Sequence, residues 1–518
     1  MPSSRYDVIV VGAGAGGAPL ATRLSEDPDR TVLLLDAGPV PRSFAGFPAE
    51  LLDARLVPGA QAGHHAVLPF AVHLTPHHPY TVPRGRYLGG STTVNGGYFV
   101  RARRADFDRW AAAGNPGWAY ERVLPFLRRL ETDLDFGASD LHGGSGPVPI
   151  RRGGLGHPAA AAFEAAAGEL DFPHEPDKND QARPGFGPLP GNAVDGIRHN
   201  TGISYLLKAL DRPNLTVIGE RRVRRVVVSR DRATGVVVDR GGHCDILDAA
   251  EVVLCAGSFA TPQLLHLSGI GPRRELQRLN LPVVRHSPAV GARFSDHPQV
   301  VLEWSPRREL PAPTDSWLGG CLHLSSSDGS HRGDLEILQS LTPMASLTAP
   351  HVPTTDTRLA FLVSAQAPRR TGEFRLRSAD PEAAPRIDYN YLRTQDDRRR
   401  LREAVRTCAA LTAARAFREL SEAPAGPVPK VLDDDRALDA WISTRLGTSH
   451  HACGTVPMGR DDDPHAAVDQ YGRVHGIAGL RVADTSILPT APLRGPAATA
   501  VLIGEVIADA MRHPTGPG

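Results

Sequence analysis

The segment from Val8 to Asp36 contains the pattern that most constrains how this chain can fold. It reads as an apolar strand, a Gly-x-Gly-x-x-Gly turn at Gly12, Gly14 and Gly17, a helical stretch, and a second strand that ends in an acid. The first glycine allows the tight turn, the second lets the backbone approach a pyrophosphate, and the third lets the helix pack closely on the sheet. The helix N-terminus then offers free N–H groups and a positive dipole to an anion. The pattern therefore predicts a parallel, Rossmann-like α/β sheet that binds a dinucleotide.

Asp36 narrows the choice of dinucleotide. At the end of the second strand it is placed to accept hydrogen bonds from the adenosine ribose hydroxyls. Its negative charge would repel a 2′-phosphate, so FAD or NAD fits and NADP does not. A purely structural glycine turn is the alternative interpretation. The strand before the turn, the helix after it and the acid at the expected distance argue against that alternative.

Length and composition set further limits. With 518 residues the chain exceeds the size at which one core keeps growing, so we expect two domains, which can be built from interleaved segments. A net charge of +1 with 22% charged residues gives no bulk field that would attract nucleic acid or an anionic membrane. The five cysteines are scattered and lack a Cys-x-x-Cys pair. This argues against a disulfide framework or a zinc site, and no metal is expected.

Neither a secretory signal nor a membrane span is expected. The first strand begins within a few residues of the start, which leaves no room for a signal peptide. The longest apolar runs, such as residues 497–503, fall short of the roughly 18 residues that a transmembrane helix needs. We therefore expect a cytoplasmic protein and leave open a peripheral association with the inner face of the membrane.

The remaining elements are predicted from periodicity. Residues 57–83 are rich in proline and histidine, show neither helical nor strand periodicity, and are expected to form a long loop. Strand-like alternation from residue 303 to 388 predicts a separate antiparallel sheet. Apolar residues at helical spacing over residues 396–418 predict a helix that covers this sheet. A last helix, residues 497–511, contains small residues that would permit close packing on the nucleotide fold.

Two further segments, residues 85–97 and 256–272, are rich in glycine and small polar residues. Each could be a surface loop on its own. Together with the N-terminal turn, and in this order, they resemble the signature segments of the glucose–methanol–choline (GMC) family of FAD-dependent oxidoreductases. The resemblance continues through shorter segments at residues 290–291, 296–298, 450–459 and 482–489.

Membership of this family implies an α/β fold in which a Rossmann-like FAD-binding domain adjoins a second, mostly antiparallel substrate domain. Residues 1–155, 197–300 and 445–518 are then predicted to form the FAD-binding domain. Residues 156–196 and 301–444 are predicted to form the substrate-binding domain. The flavin would lie between the two.

The resemblance also implies the cofactor contacts. Asn95 and the backbone from Gly89 to Thr92 would lie along the flavin and the pyrophosphate, and Asp484 would face the ribityl and phosphate part. Asn95 could instead be only a turn residue, and Asp484 only a helix cap. Some members tether FAD through a histidine where this chain has Val94, so FAD is expected to bind without a covalent bond. The predicted cofactor residues are Gly12, Gly14, Gly17, Asp36, Gly89, Gly90, Ser91, Thr92, Asn95, Gly96, Val223 and Asp484.

His451, within a His-x-x-Gly-Thr segment, matches the active-site histidine of the family. Oxidising an alcohol requires a hydride to leave carbon for the flavin while the hydroxyl proton goes to a base, and neutral imidazole suits that role. We therefore predict that His451 is the base. His450 is expected to be structural, because adjacent side chains of an extended segment point to opposite faces. Cys453 is not expected to take part in redox chemistry.

One departure from the family pattern lies before the last helix. Typical members have a second histidine or asparagine there that positions the substrate alcohol, and Gly495 stands at the matching place. Either another residue replaces that side chain, with Arg494 and Thr499 nearest in sequence, or the site handles an unusual substrate. A shift of the alignment by a residue or two is a further explanation.

Residues 94–101 and 494–500 look like the actinobacterial branch of the family that is associated with the peptide-derived cofactor mycofactocin. This implies a dehydrogenase that takes electrons from reduced mycofactocin and passes them towards the respiratory chain. A general alcohol, polyol or sugar dehydrogenase or oxidase is the alternative. A flavin-containing lyase without net redox chemistry, and an electron relay without a catalytic base, are hypotheses from other classes. The acceptor, whether quinone, respiratory chain or oxygen, is not readable from these motifs.

Overall fold

The protein is described by a computed structural model that covers residues 5–329, 331–348 and 356–513. Its architecture combines a largely parallel sheet, an antiparallel sheet and several smaller sheets. One large hydrophobic core surrounds the parallel sheet, and a second surrounds the antiparallel sheet. The predicted α/β class with a mostly antiparallel second sheet is confirmed. The domain boundaries given above stay a prediction.

The parallel sheet forms around the apolar N-terminal strand. Tyr6–Val11 pairs in parallel with Val32–Leu35 on one side and with His243–Leu254 on the other. Leu215–Ile218 extends the first side, and Leu480–Val482 pairs with His243–Leu254. The last four residues of Tyr6–Val11 and all of Val32–Leu35 are buried, as expected for strands covered on both faces. An antiparallel hairpin of Val223–Ser229 and Arg232–Arg240 continues the sheet beyond His243–Leu254.

Helices from both ends of the chain cover this sheet. Gly17–Leu24 follows the glycine turn and packs against Ala497–Arg512. A Cβ on Gly504 would overlap the carbonyl oxygen of Gly16, so the small residues predicted for this contact are needed there. The other helices are Ala49–Leu52, Ser91–Val94, Arg104–Ala112, Tyr120–Arg129, Pro158–Glu169, Thr201–Ser204, Gly257–Leu267, Arg273–Arg278, Met344–Thr348, Gln395–Ala413, Arg415–Arg418, Pro429–Leu432 and Asp435–Arg445.

The predicted antiparallel sheet is present, and a long helix covers it. The helix Gln395–Ala413 begins at Thr394, whose hydroxyl accepts a hydrogen bond from the backbone of Asp397. Its apolar side packs on the neighbouring strands Leu335–Ser340 and Leu359–Ala365. In order across the sheet the strands are Leu446–Thr448, Pro298–Trp304, Leu359–Ala365, Leu335–Ser340, Leu318–Leu324 and Phe186–Gly187.

The expectation of a long loop over residues 57–83 is wrong for its second half. Val67–Thr75 and His78–Gly85 pair as an antiparallel hairpin. His78–Gly85 is the edge of its sheet, where Pro79 and Pro83 cost no hydrogen bond to a further strand. These prolines concealed the strand signal. Arg386–Asp388 and Glu373–Arg375 complete this sheet.

The remaining strands are short. They are Glu131–Asp133, Val148–Arg152, Pro190–Gly191, Ala193–Val194, Ile197–Arg198, Ile270–Gly271 and Arg285–His286. None of the helices within the described residues has both the length and the hydrophobicity that a membrane crossing requires.

Candidate active site

A cavity of about 700 Å³ runs from the glycine turn of the parallel sheet to the histidine segment beside the antiparallel sheet. Most residues that the sequence predicts for the cofactor and the chemistry line this cavity. Gly17 and Gly89 do not. The predicted residues in its wall are Gly12, Gly14, Asp36, Gly90, Ser91, Thr92, Asn95, Gly96, Val223, His451 and Asp484.

The glycines at this end of the cavity each allow a different close contact between backbone segments. Gly12 has a φ of +105°, and a Cβ there would lie 2.5 Å from the carbonyl oxygen of Cys255. A Cβ on Gly17 would overlap the oxygen of Gly12, so Gly17 serves the contact between helix and strand. A Cβ on Gly90 would lie 2.7 Å from the Cα of Gly14. Two bare backbones therefore meet at the cavity wall, which is what the close approach of a pyrophosphate requires.

Asp36 is a buried carboxylate at the same end of the cavity. Its two oxygens accept backbone hydrogen bonds from Ala13 and Gly38, both at 2.7 Å. Burial raises the pKa of Asp36 to about 6, although these hydrogen bonds oppose the shift. The carboxylate thus ties the glycine turn to the end of the second strand while it faces the cavity.

Asp484 and Asn95 both combine a local structural role with a place in the cavity wall. Asp484 caps a short helical turn by accepting from the backbone of Ser486 at 2.8 Å, and it also accepts from the Thr261 hydroxyl at 2.6 Å. The side-chain oxygen of Asn95 accepts from the backbone of Gly97 at 3.1 Å. The cap and turn roles that the sequence left open are therefore present, and both side chains still line the cavity.

His451 lies at the other end of the cavity and is held from two sides. Its backbone N–H donates to Asp296 at 2.7 Å, and its Nδ1 lies 2.9 Å from the Nδ1 of His297. Reciprocal backbone hydrogen bonds between Ser295 and Cys453 bring the two segments together. Burial, and then the neighbouring His297, lower the pKa of His451 well below the ordinary histidine value. Burial lowers the pKa of His297 to about 4, so both rings are neutral at pH 7.

The expectation of an extended backbone at His450 is wrong. His450 has a φ of +64°, so the rule that places adjacent side chains on opposite faces does not apply there, and both residues line the cavity. Its carbonyl oxygen accepts a hydrogen bond from Arg84 at 2.6 Å. Burial lowers the pKa of His450 to about 3, which keeps this ring neutral as well.

The space beside Gly495 is taken by a residue that the sequence did not suggest. A Cβ on Gly495 would lie 3.1 Å from two ring atoms of Tyr98 and 3.2 Å from the Cε1 of His451. Arg494 and Thr499, the candidates nearest in sequence, are buried outside the cavity wall. Arg494 points elsewhere and donates to the backbone oxygen of Gly333 at 2.7 Å. Tyr98, not either of these two, therefore occupies the place of the missing side chain.

Tyr98 is part of a buried polar network. Its hydroxyl donates to Glu336 at 2.8 Å, and the Nε2 of His323 lies 2.9 Å from the same carboxylate oxygen. Gln366 donates to the other oxygen of Glu336 at 3.1 Å. Burial works to raise the pKa of Glu336, but the hydrogen bonds from His323 and Tyr98 and the charge of Arg494 lower it to about 2. Glu336 is therefore a buried carboxylate anion in the cavity wall.

Comparison with known proteins decides the family. The N-terminal family model described as GMC oxidoreductase matches residues 6–299, and the C-terminal one matches residues 368–504. The chain is a GMC oxidoreductase. An uncharacterised GMC-type oxidoreductase of Rhodococcus erythropolis is 40% identical over 96% of this chain and 97% of its own. An oxygen-dependent choline dehydrogenase of Rhizobium rhizogenes is 33% identical over 97% of this chain and 95% of its own.

Solved structures agree with this assignment. Pyridoxine 4-oxidase from Mesorbium loti has a TM-score of 0.90 to this GMC oxidoreductase, at 26% identity, over 98% of this chain and 99% of that one. A formate oxidase of Aspergillus oryzae has a TM-score of 0.88 at 25% identity, over 99% of each chain. The GMC oxidoreductase described here is thus an FAD-dependent enzyme that acts on CH–OH donors. The bare glycine contact at Gly14 and Gly90 provides the room for FAD that this conclusion requires.

Sequence reasoning missed three groups at the chemical end of the cavity. Tyr98 and Glu336 line it, and His297 contacts His451. A signal existed for His297, which belongs to one of the short segments that resemble the family. No sequence signal existed for Glu336, because an acidic residue in a strand with alternating polarity is ordinarily expected to face solvent.

Proposed function

We propose that FAD occupies the cavity with its pyrophosphate against Gly12, Gly14 and Gly90 and its adenosine ribose at Asp36. The absence of side chains where Gly14 and Gly90 meet supports the first contact. The buried carboxylate of Asp36 in the wall supports the second. The flavin would then lie near Asn95, and with Val94 at the position of the family's tethering histidine we propose that it is held without a covalent bond.

We infer that His451 is the catalytic base. When bound, FAD supplies the acceptor for the hydride that leaves the alcohol carbon. With its proton on Nδ1, His451 donates to His297 and keeps Nε2 as the acceptor for the hydroxyl proton of the alcohol. His297 fixes the orientation of the ring. The observation that carries this proposal is the half-buried, neutral His451 held by His297 at the cavity wall.

We propose reduced mycofactocin as the favoured donor, with electrons passed towards the respiratory chain. The resemblance of residues 94–101 and 494–500 to the mycofactocin-associated branch of the family supports this choice. A general alcohol dehydrogenase or oxidase, with a quinone or oxygen as acceptor, is the second candidate. The choline dehydrogenase and pyridoxine 4-oxidase among the similar proteins favour it. The cytoplasmic location expected from the sequence stays a prediction.

The test is anaerobic reduction of the flavin in the purified enzyme. The donor panel contains reduced mycofactocin, small alcohols, polyols and sugars, and each reduced sample is then mixed with oxygen, a quinone or an artificial dye. We expect the visible flavin band to bleach with a CH–OH donor in the wild type. We expect almost no bleaching in His451→Ala, while its flavin content stays unchanged.

The outcomes separate the alternatives. Product formed while the flavin band persists would support lyase chemistry instead. Equal bleaching in the wild type and in His451→Ala would identify an electron relay without a catalytic base. Bleaching by small alcohols but not by reduced mycofactocin would replace the favoured donor with the second candidate.

A further inference from the structure

Tyr98 presents a hydroxyl at the chemical end of the cavity that the proposed reaction does not use. Ring atoms of Tyr98 and His451 both lie close to the position of a Cβ on Gly495, at 3.1 and 3.2 Å. Both residues line the cavity. A group that reaches one of the two rings is therefore close to the other.

The network around Glu336 determines which way the Tyr98 proton points. Glu336 is an anion and can only accept, so the hydroxyl of Tyr98 donates to it. Burial and the neighbouring carboxylate raise the pKa of Tyr98 well above its usual range, so the phenol keeps this proton. Burial lowers the pKa of His323, and its Nε2 lies 2.9 Å from Glu336 and 3.4 Å from the Tyr98 hydroxyl. Because the carboxylate is the nearer and the charged acceptor, the N–H of this nitrogen goes to Glu336. The phenol oxygen of Tyr98 is left as a hydrogen-bond acceptor.

We propose that Tyr98 positions the substrate by accepting a hydrogen bond from a second donor group, a hydroxyl or an ammonium, next to the reacting carbon. The inference rests on the proposed function, in which the reacting hydroxyl gives its proton to His451. Since that hydroxyl has one proton, Tyr98 needs a different donor. Because the rings of Tyr98 and His451 both lie close to Gly495, this donor belongs on the neighbouring carbon.

The charge of Glu336 narrows the substrate class further. A buried anion behind the phenol favours a hydroxyl or an ammonium and disfavours a carboxylate at the same place. The predicted substrates are therefore 1,2-diols and 2-amino alcohols. Monoalcohols and 2-hydroxy acids are predicted to be poor substrates.

The test compares alcohols that share one carbon skeleton. Propan-1-ol, propane-1,2-diol and 2-aminopropan-1-ol are mixed anaerobically with the flavin-loaded enzyme, and the rate of flavin reduction is followed against concentration. One hydrogen bond corresponds to a preference of about tenfold in the wild type for the two alcohols with a second donor. In Tyr98→Phe this preference is expected to fall to about one, because only the oxygen is removed.

Two further variants sharpen the result. Tyr80→Phe removes a hydroxyl from the same cavity wall and is expected to keep the preference. Glu336→Gln keeps an acceptor oxygen for Tyr98 but removes the charge. It is therefore expected to retain the preference for the diol and to weaken the preference for the amino alcohol, whose positive charge Glu336 stabilises. Flavin content and melting temperature establish that each variant is folded.

Two results would overturn the inference while the proposed function stands. The first is a wild type that reduces its flavin as fast with propan-1-ol as with the diol and the amino alcohol. This comparison needs no variant and holds even if Tyr98→Phe fails to fold. The second is a folded Tyr98→Phe that keeps the full preference. If no alcohol of the wider panel bleaches the wild-type flavin, the proposed function itself fails.

Discussion

Two histidine clusters in this protein differ in charge. The ring of His142 lies between three carboxylates: its Nδ1 is 2.9 Å from Glu131 and from Asp133, and its Nε2 is 2.8 Å from Asp177. Burial works to lower the pKa of His142, but the hydrogen bonds to these carboxylates raise it to about 10. His142 is therefore a structural imidazolium.

His297 is buried and His451 is half-buried, and both rings are neutral. Among the described residues, the ring of His451 has His297 as its hydrogen-bonding partner, and burial dominates the pKa of both. The comparison shows that burial alone does not decide the charge of a histidine. The three carboxylates within hydrogen-bond distance of His142 outweigh its burial, whereas the ring of His451 has a neutral histidine as its partner and stays able to accept a proton.

The largest expected effect comes from the neutral cluster. His451→Ala removes the proposed base, and general base catalysis is worth about 10²- to 10⁴-fold. We expect a loss of that size in the rate of flavin reduction at saturating donor, measured by anaerobic stopped flow. His450→Ala, which removes the neighbouring ring of the same cavity wall, is expected to lose much less. Equal losses would show that the roles of the two rings are not distinct.

A substitution in the charged cluster around His142 is expected to lower the free energy of unfolding and to leave the rate of flavin reduction unchanged. His142→Gln removes the central cation and leaves three buried carboxylates with fewer partners, which costs about 3–5 kcal/mol by analogy with a broken buried ion pair. Denaturant unfolding measures this loss. His65→Gln is the matched control, because His65 pairs with one carboxylate and its side chain is 56% exposed. Flavin reduction per bound flavin in His142→Gln should match the wild type.

His297→Asn tests whether His297 acts through His451. The amide keeps a hydrogen-bonding group but changes its geometry, so we expect a loss of about tenfold or less in flavin reduction. We also expect a shift in the acidic limb of the pH profile of kcat/KM. In the wild type this limb should lie below pH 6.5, because the pKa of His451 is lowered and the ring stays neutral at lower pH. A limb at or above pH 6.5 would contradict the assignment.

The pH dependence of stability in the wild type also reports the charge of His142. The folded pKa of His142 lies above its unfolded value. Its stabilising contribution is therefore complete below about pH 6.5 and is lost as the pH rises through about 10. The melting temperature should fall across this window in the wild type and more weakly in His142→Gln. Identical slopes in the two proteins would show that His142 is not charged in the folded state.

The prediction from sequence succeeded where function depends on local pattern. The glycine turn, the acid at Asp36 and the strands on either side follow from residue spacing, and the structure has them in one sheet. The last helix and its close contact at Gly504 were likewise readable from small residues at helical positions. In each case the decisive interactions lie within one short segment or on one face of one element.

The prediction failed where a local pattern was misleading and where distant segments meet. His450 lines the cavity because its backbone is left-handed at one residue, and the hairpin of residues 67–85 hides its alternation behind edge prolines. Tyr98 reaches the space beside Gly495 only because the two segments pack together. No spacing rule within either segment encodes that contact.

Local pattern in the chain was enough to predict the dinucleotide fold and a choice between FAD and NAD, because backbone turns and strand ends place those groups over short distances. The resemblance to the family then singled out FAD and the candidate base. The charge of each buried histidine and the replacement of the second active-site side chain were settled by long-range packing. Electrostatic free energies depend on distances of a few ångströms between groups that are remote in sequence. His451 was thus identifiable from its motif, whereas its neutrality, its partner His297 and the neighbouring Tyr98 required the folded molecule.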